Sequence, residues 1–215
     1  MHDVGGLDFG AVPLADHELE TWAKRSTALA AALRQKGLAT LDEQRRHVES
    51  LGDGYHKYSY FERQVHAWAQ IAIDRGLVTS AEIGRLLADP HRPRSPASIR
   101  RTPASPGDRG RDAADPPDAA PGPAKFKPGD RVRVLKAEPP GHVRTPSYCR
   151  GRAGAIERIC GAFPNPEELA YRRSGLPAVP LYRVRFLSRD LWQGYGEGSA
   201  DTVDIEIYEH WVEAA

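Results

Sequence analysis

Apolar residues recur at spacings of three and four from Asp16 onward. Leu19, Trp22, Ala23, Ser26, Leu29, Ala30 and Leu33 share one face, which predicts a helix with Asp16 as its N-cap and Gly37 as its stop. A second helix is predicted from Thr40, with Glu43 placed to close a capping box, running to about Leu51 before Gly52-Asp53-Gly54. A third spans about Ser59 to Asp74 on Phe61, Val65, Trp68, Ala69 and Ala72, and Gly76 ends it. A short fourth follows Thr79, with Ile83, Leu86 and Leu87 as its apolar face and Pro90 beyond its end. After residue 125 the period changes to two. Arg131–Leu135, Tyr182–Phe186 and Val203–Ile207 each alternate polar and apolar, as half-buried strands do. Pro128-Gly129-Asp130 is a turn signal, and Gly151, Gly154 and Gly161 read as breaks.

Between the two regimes the chain turns to proline. Nine of its 18 prolines lie from Pro90 to Pro123, with Ile99 as the one large aliphatic residue among them. Such a stretch buries too little apolar surface to offset its ordering entropy. The expected organisation is therefore an N-terminal arm and helical domain over 1–89, a flexible linker over 90–124, and a small antiparallel β-barrel, SH3-like in size, over 125–215. The fold class is α+β, multidomain.

Composition narrows the function. With 215 residues and a net charge of +1, the chain lacks the basic excess of a nucleic-acid-binding protein. No signal peptide is visible at Met1–Gly6, and no apolar run reaches membrane-spanning length, so a cytoplasmic protein without a membrane partner is expected. Two cysteines cannot staple a secreted scaffold or supply a four-thiolate metal site. Cys149 and Cys160 read as small buried hydrophobes. The histidines contain no HExxH, and His2, His56, His66 and His210 read as surface or packing residues. Gly194, Gly196 and Gly198 read as a loop rather than a phosphate cradle, and the basic cluster Arg92–Arg101 as solvated linker charge. No self-sufficient active site emerges. Two segments do project arginines: Arg45-Arg46 on the second helix, and the proline-bounded loop Pro139–Pro146, which carries His142 and Arg144.

The ordered blocks go further. His2-Asp3-Val4-Gly5-Gly6, Leu41-Asp42-Glu43-Gln44-Arg45 and Tyr58-Ser59-Tyr60-Phe61-Glu62-Arg63 resemble the helical half of the nitrile hydratase β subunit. Phe126–Val134, Pro140–Pro146, Tyr148–Gly154, Pro180–Phe186, Asp190-Leu191-Trp192 and Asp201–Glu213 resemble its C-terminal barrel. The resemblance implies one subunit of an αβ heterodimer, often paired into α2β2, that hydrates a small nitrile to its amide. It implies that no cofactor is bound by this chain alone. An Fe(III) or Co(III) centre would lie in the partner α subunit, held partly by oxidised cysteines. It implies that Arg45 and Arg144 hydrogen-bond the oxygens of those cysteines, and that Tyr60, Phe61 and His142 border the substrate pocket. The chain departs from the family at Phe61, where a second tyrosine is common, in its proline-rich linker, and over Phe163–Pro177. Thiocyanate hydrolase is built from the same modules, so a fused relative of that enzyme is the alternative. A non-enzymatic activator or metallochaperone of the α subunit is a further one, and a generic SH3-like binding module a poorer third.

Overall fold

The computed structural model describes residues 10, 11, 14, 18–89, 123–192, 194 and 200–215. The linker expected over 90–124 lies outside the described residues except for its last two positions. So do His2, the block His2–Gly6, the predicted cap Asp16, the cluster Arg92–Arg101, and Gly196 and Gly198. The described residues fall into two compact units, one helical and one built on a sheet.

The helical unit contains α1 (Thr21–Gln35), α2 (Leu41–Glu49), α3 (Gly54–Lys57), α4 (Tyr60–Asp74) and α5 (Ser80–Ala88). Its caps follow from local chemistry. The Thr40 hydroxyl accepts from the Glu43 amide at 3.0 Å, which satisfies one of the orphan donors of α2. Ser59 and Thr79 form full capping boxes with Glu62 and Glu82, starting α4 and α5. Gly76, at φ +64, leaves the helical conformation where α4 ends. Three expectations are corrected. First, α1 begins at Thr21, with Glu20 rather than Asp16 at its N-cap. Second, the Glu43 carboxylate is held by Arg75 instead of completing a box with Thr40. Third, Gly54 opens the four-residue α3 rather than ending the turn.

Ala30, Ala39, Trp68 and Ile71 form the buried cluster of this unit, with Leu33 and Leu38 against it. That core is small. Trp22, Leu29, Tyr60 and Val65 stay exposed, and α5 buries none of its residues, so the apolar face predicted from Leu86 and Leu87 is open to solvent.

The second unit holds β1 (Arg131–Val134), β2 (Ala153–Phe163), α6 (Pro166–Leu169), β3 (Val179–Leu187), α7 (Ser188–Leu191), β4 (Thr202–Tyr208) and β5 (Val212–Ala214). The strands form one antiparallel sheet in the order β4-β3-β2-β1-β5. The expected barrel closure is not seen: among the described residues the hydrogen-bonded ladder ends at β4 on one side and β5 on the other. The alternating triplets behave as period-two strands should. Val132 and Val134 are buried while Arg131 and Arg133 are exposed, and Tyr182, Val184 and Phe186 alternate in the same way on β3. With Ile156, Ile205, Ile207, Leu191, Trp211 and Val212 they make the larger core.

The longest strand, β2, is one that the glycines concealed. Gly154 does not break it. A Cβ there would stand 2.7 Å from Val184 Cγ1 and 2.8 Å from the Arg185 carbonyl oxygen, so glycine is what lets β2 lie against β3. Gly161, at φ +121, sits at one of two register shifts between these strands. Cys149 is buried as expected, whereas Cys160 is only half-buried, with Sγ 3.9 Å from Glu206 Oε1.

Candidate functional site

The expected site residues divide between the units. In the helical unit, Arg45 stands on α2, bonded to Asp42 Oδ1 at 3.1 Å with 41% of its side chain exposed. What fixes α2 lies on its opposite face. Both Glu43 carboxylate oxygens accept from Arg75 Nη2 at 2.8 Å, and the same guanidinium donates to the Leu38 carbonyl at 3.1 and 2.9 Å. Glu43 is 2% exposed, so its charge is compensated where water cannot reach it. Gln44 accepts from Arg34 of α1 at 2.7 Å and donates to Gln64 of α4. Polar side chains thus tie α2 to both of its neighbours.

Tyr60 and Phe61 occupy the first turn of α4, set by the Ser59 box. Tyr60 is exposed. Phe61 presents its ring edgewise to Tyr60 at 5.1 Å and to Trp22 at 6.3 Å. At the other end of α4, where His47 Nε2 lies 3.5 Å from Asp74 Oδ2, burial pushes the His47 imidazole below its ordinary 6.5. Arg46 and Arg75 reinforce the shift and Asp74 opposes it.

In the sheet unit, His142 and Arg144 share one loop but point differently. His142 is buried, while Arg144 is exposed. Gly141 between them and the prolines has φ +98, and a Cβ on it would lie 2.3 Å from the Tyr171 hydroxyl. A cleft of about 250 Å³ opens here between Pro139, Pro140, His142 and Val143 on one side and Glu167, Tyr171 and Arg173 on the other. Glu167 accepts from the Trp211 indole at 2.6 Å and meets His210 Nε2 at 3.4 Å. Burial resists ionisation of this carboxyl. The hydrogen bonds from His210 and Trp211, with the positive fields of His210 and His142, outweigh it and hold the group below its usual range.

Arg150 was not among the expected site residues. It donates to the Thr145 carbonyl from Nε at 3.2 Å and Nη2 at 2.8 Å, and to the Ala137 carbonyl from Nη1 at 3.1 Å. Its guanidinium carbon lies 5.2 Å from the centroid of the Trp211 ring. Arg75, Glu43 and Glu167 were missed in the same way. All four act by holding other groups, and at Arg75, Arg150 and Glu167 the sequence shows only a charged residue with no local pattern around it.

Among the described residues, no group of three or more His, Cys, Asp or Glu side chains could hold a metal ion. Exposed arginines, Arg45 among them, offer donors suited to anionic oxygens.

Comparison with known proteins identifies the family. The profile for the nitrile hydratase beta subunit, N-terminal, matches residues 1–109, and that for the nitrile hydratase beta subunit, C-terminal, matches residues 115–214. The chain belongs to the nitrile hydratase β-subunit family. It is 28% identical to the nitrile hydratase subunit beta of Rhodococcus erythropolis over 228 residues, which cover 100% of this chain and 98% of that one. It is also 28% identical to the cobalt-containing nitrile hydratase subunit beta of Pseudonocardia thermophila, covering 99% and 95%. A third relative is the thiocyanate hydrolase subunit alpha of Thiobacillus thioparus, 35% identical over 95 residues, or 44% of this chain and 75% of that one. The activity is that of a nitrile hydratase, a hydro-lyase, and this chain is a subunit of a heteromeric enzyme. No helix among the described residues is long and apolar enough to cross a membrane.

Proposed function

We propose that this chain pairs with a nitrile hydratase α subunit, as an αβ heterodimer or α2β2, and forms the wall of the active site facing an Fe(III) or Co(III) centre held by that partner. When bound there, the metal supplies Lewis acidity toward the nitrile or its attacking water. The contribution of this chain is electrostatic and positional. Arg45 and Arg144 hydrogen-bond the oxidised cysteine oxygens of the partner. A guanidinium remains charged at any working pH and offers a planar fork of donors to such an anion. Tyr60, Phe61 and His142 border the space for a small nitrile. In the free chain the Trp22, Leu29, Tyr60 and Val65 side chains are exposed, which supports a partner chain covering the helical unit. The pairing of β5 with β1 supports an SH3-like description of the sheet unit, and the two profile matches, over 1–109 and 115–214, support one N-terminal and one C-terminal domain; the bounds 1–89 and 125–215 and the linker over 90–124 rest on the proline density of the sequence. A cytoplasmic location accords with this reading.

The single observation that carries it is the pair of profile matches, which together span nearly the whole chain. Co-expression with the α subunit should yield a complex that converts a nitrile to its amide. In that complex, Arg45→Lys or Arg144→Lys should lower kcat about tenfold or more while assembly persists, because lysine cannot reproduce the fork. Wild-type turnover in both variants removes the assignment. The 35% match to a thiocyanate hydrolase subunit favours a second reading, in which the complex releases carbonyl sulfide from thiocyanate and leaves nitriles untouched.

A further inference from the structure

The loop bearing His142 and Arg144 has no regular secondary structure to hold it. From Leu135 to Pro146 no residue belongs to a helix or strand. Arg144 itself is exposed, and a long side chain on an unsupported loop would lose much entropy each time it met a fixed partner. The structure supplies an external clamp. Arg150 follows the 3-10 turn Ser147–Cys149, and that turn is seated by the buried Cys149, whose Sγ donates to the Pro146 carbonyl at 3.1 Å. From this seat the Arg150 guanidinium reaches two main-chain oxygens eight residues apart, Ala137 O and Thr145 O. They bracket the segment that contains His142 and Arg144. One face of the guanidinium is turned to Trp211, whose indole nitrogen is fixed by Glu167. Thr145, adjacent to Arg144, is 3% exposed, so the C-terminal anchor lies inside the fold.

We infer that Arg150 is a positioning residue for the hydration reaction: it closes the Ala137–Thr145 loop through its two ends and so presents Arg144 at a fixed place. The inference rests on the role proposed above for Arg144. The fork is the relevant chemistry, since its nitrogens satisfy carbonyls on two separate strands of chain at once. A lysine at this position carries the same charge but a single compact donor group, and cannot span both. A methionine keeps the stem and removes every donor.

The test uses the full chain in its complex with the α subunit, comparing Arg150→Lys, Arg150→Met and Arg144→Lys. Two measurements are made, steady-state kinetics and amide hydrogen exchange over residues 138–146. Both Arg150 variants should lose about tenfold or more in kcat with little change in KM, because a displaced group acts late in the reaction coordinate. Loop exchange should rise in both Arg150 variants and stay unchanged in Arg144→Lys. The double variant Arg144→Lys/Arg150→Lys should be no slower than Arg144→Lys alone, as expected when one residue acts through the other. Arg133→Lys serves as a control. Arg133 also donates to a carbonyl, Gly151 O at 3.1 Å, but off the loop, and the variant should behave as wild type. Wild-type kcat in the Arg150 variants, unchanged loop exchange, or fully additive losses would overturn the inference while the Arg144 role stands. Failure of both Arg150 variants to form the complex would overturn it as well, making Arg150 a folding residue. Wild-type turnover in Arg144→Lys would overturn the role of Arg144 and the inference together.

Discussion

Arg45 rides on a helix and Arg144 on a loop, and the two units support them by different physics. Under α2 the support is a buried ion pair, Glu43 with Arg75, plus the Leu38 carbonyl. Under the loop it is an arginine bonded only to main-chain carbonyls, backed by an apolar sheet core. A helix already satisfies its own backbone, so what remains is to fix the rod against its neighbours, and side-chain charge can do that. A loop leaves carbonyls unused, and a multidentate donor can gather them. The helical unit therefore depends on an electrostatic contact in a small core, and the sheet unit on packing.

The sharpest way to break this contrast is Glu43→Ala. Removing one partner of the buried pair should destabilise the helical unit by about 3–5 kcal/mol, read by denaturant unfolding. The double variant Glu43→Ala/Arg75→Met should recover part of that loss, because no uncompensated charge is left buried. A loss in Glu43→Ala no larger than that of a surface substitution would remove the distinction. For the sheet unit the corresponding variant is Gly154→Ala. Its new methyl meets Val184, the Arg185 carbonyl and Phe186 within 3.0 Å, and overpacking of this kind costs about 1–3 kcal/mol.

Acid should separate the units next. The folded His47 lies below its ordinary 6.5, so its contribution is complete above 6.5 and is lost as pH falls below it, when the unfolded chain takes up the proton first. The folded Glu167 lies below 4.5, so its contribution persists above 4.5 and is lost as pH falls through the folded value. The helical unit should therefore weaken first on acidification, and His47→Gln should flatten the fall of its melting temperature as pH drops below 6.5. Simultaneous loss in both units would blur the comparison. The smallest effect belongs to the cross-strand pair Arg185–Asp204, 2.7 Å apart on the solvent face. Arg185→Ala should leave the unfolding midpoint of the sheet unit where it is.

Much of this architecture was legible in the residues. Helix starts were written in Thr40, Ser59 and Thr79, because a hydroxyl at the N-cap accepts from an amide that the helix leaves unpaired. Strands were written in the alternation of Arg131–Val134 and Tyr182–Phe186, because one face meets a core and the other meets water. The longest strand escaped notice because Gly154 is a breaker in isolation and a close-approach residue only beside Val184. Barrel closure was expected from strand length and turn density, and neither of these encodes which edges pair. At the candidate site, Arg45 and Arg144 are proposed from ordered blocks, each local in sequence. Arg75, Arg150 and Glu167 were not readable. Arg75 meets Glu43 across 32 residues, Trp211 meets Glu167 across 44, and carbonyl oxygens are the same at every position.

That last fact has a consequence for how the loop can change. Its two anchors grip peptide oxygens at Ala137 and Thr145 and are indifferent to the side chains in between. Glu138, Pro139 and Pro140 are exposed and can be exchanged without touching either tether, whereas Gly141, the buried His142 and Val143, packed on the sheet core, are held by the fold. The exposed stretch Glu138–Pro140 is a cassette in a fixed holder, open to ordinary point substitution while both tethers stay in place.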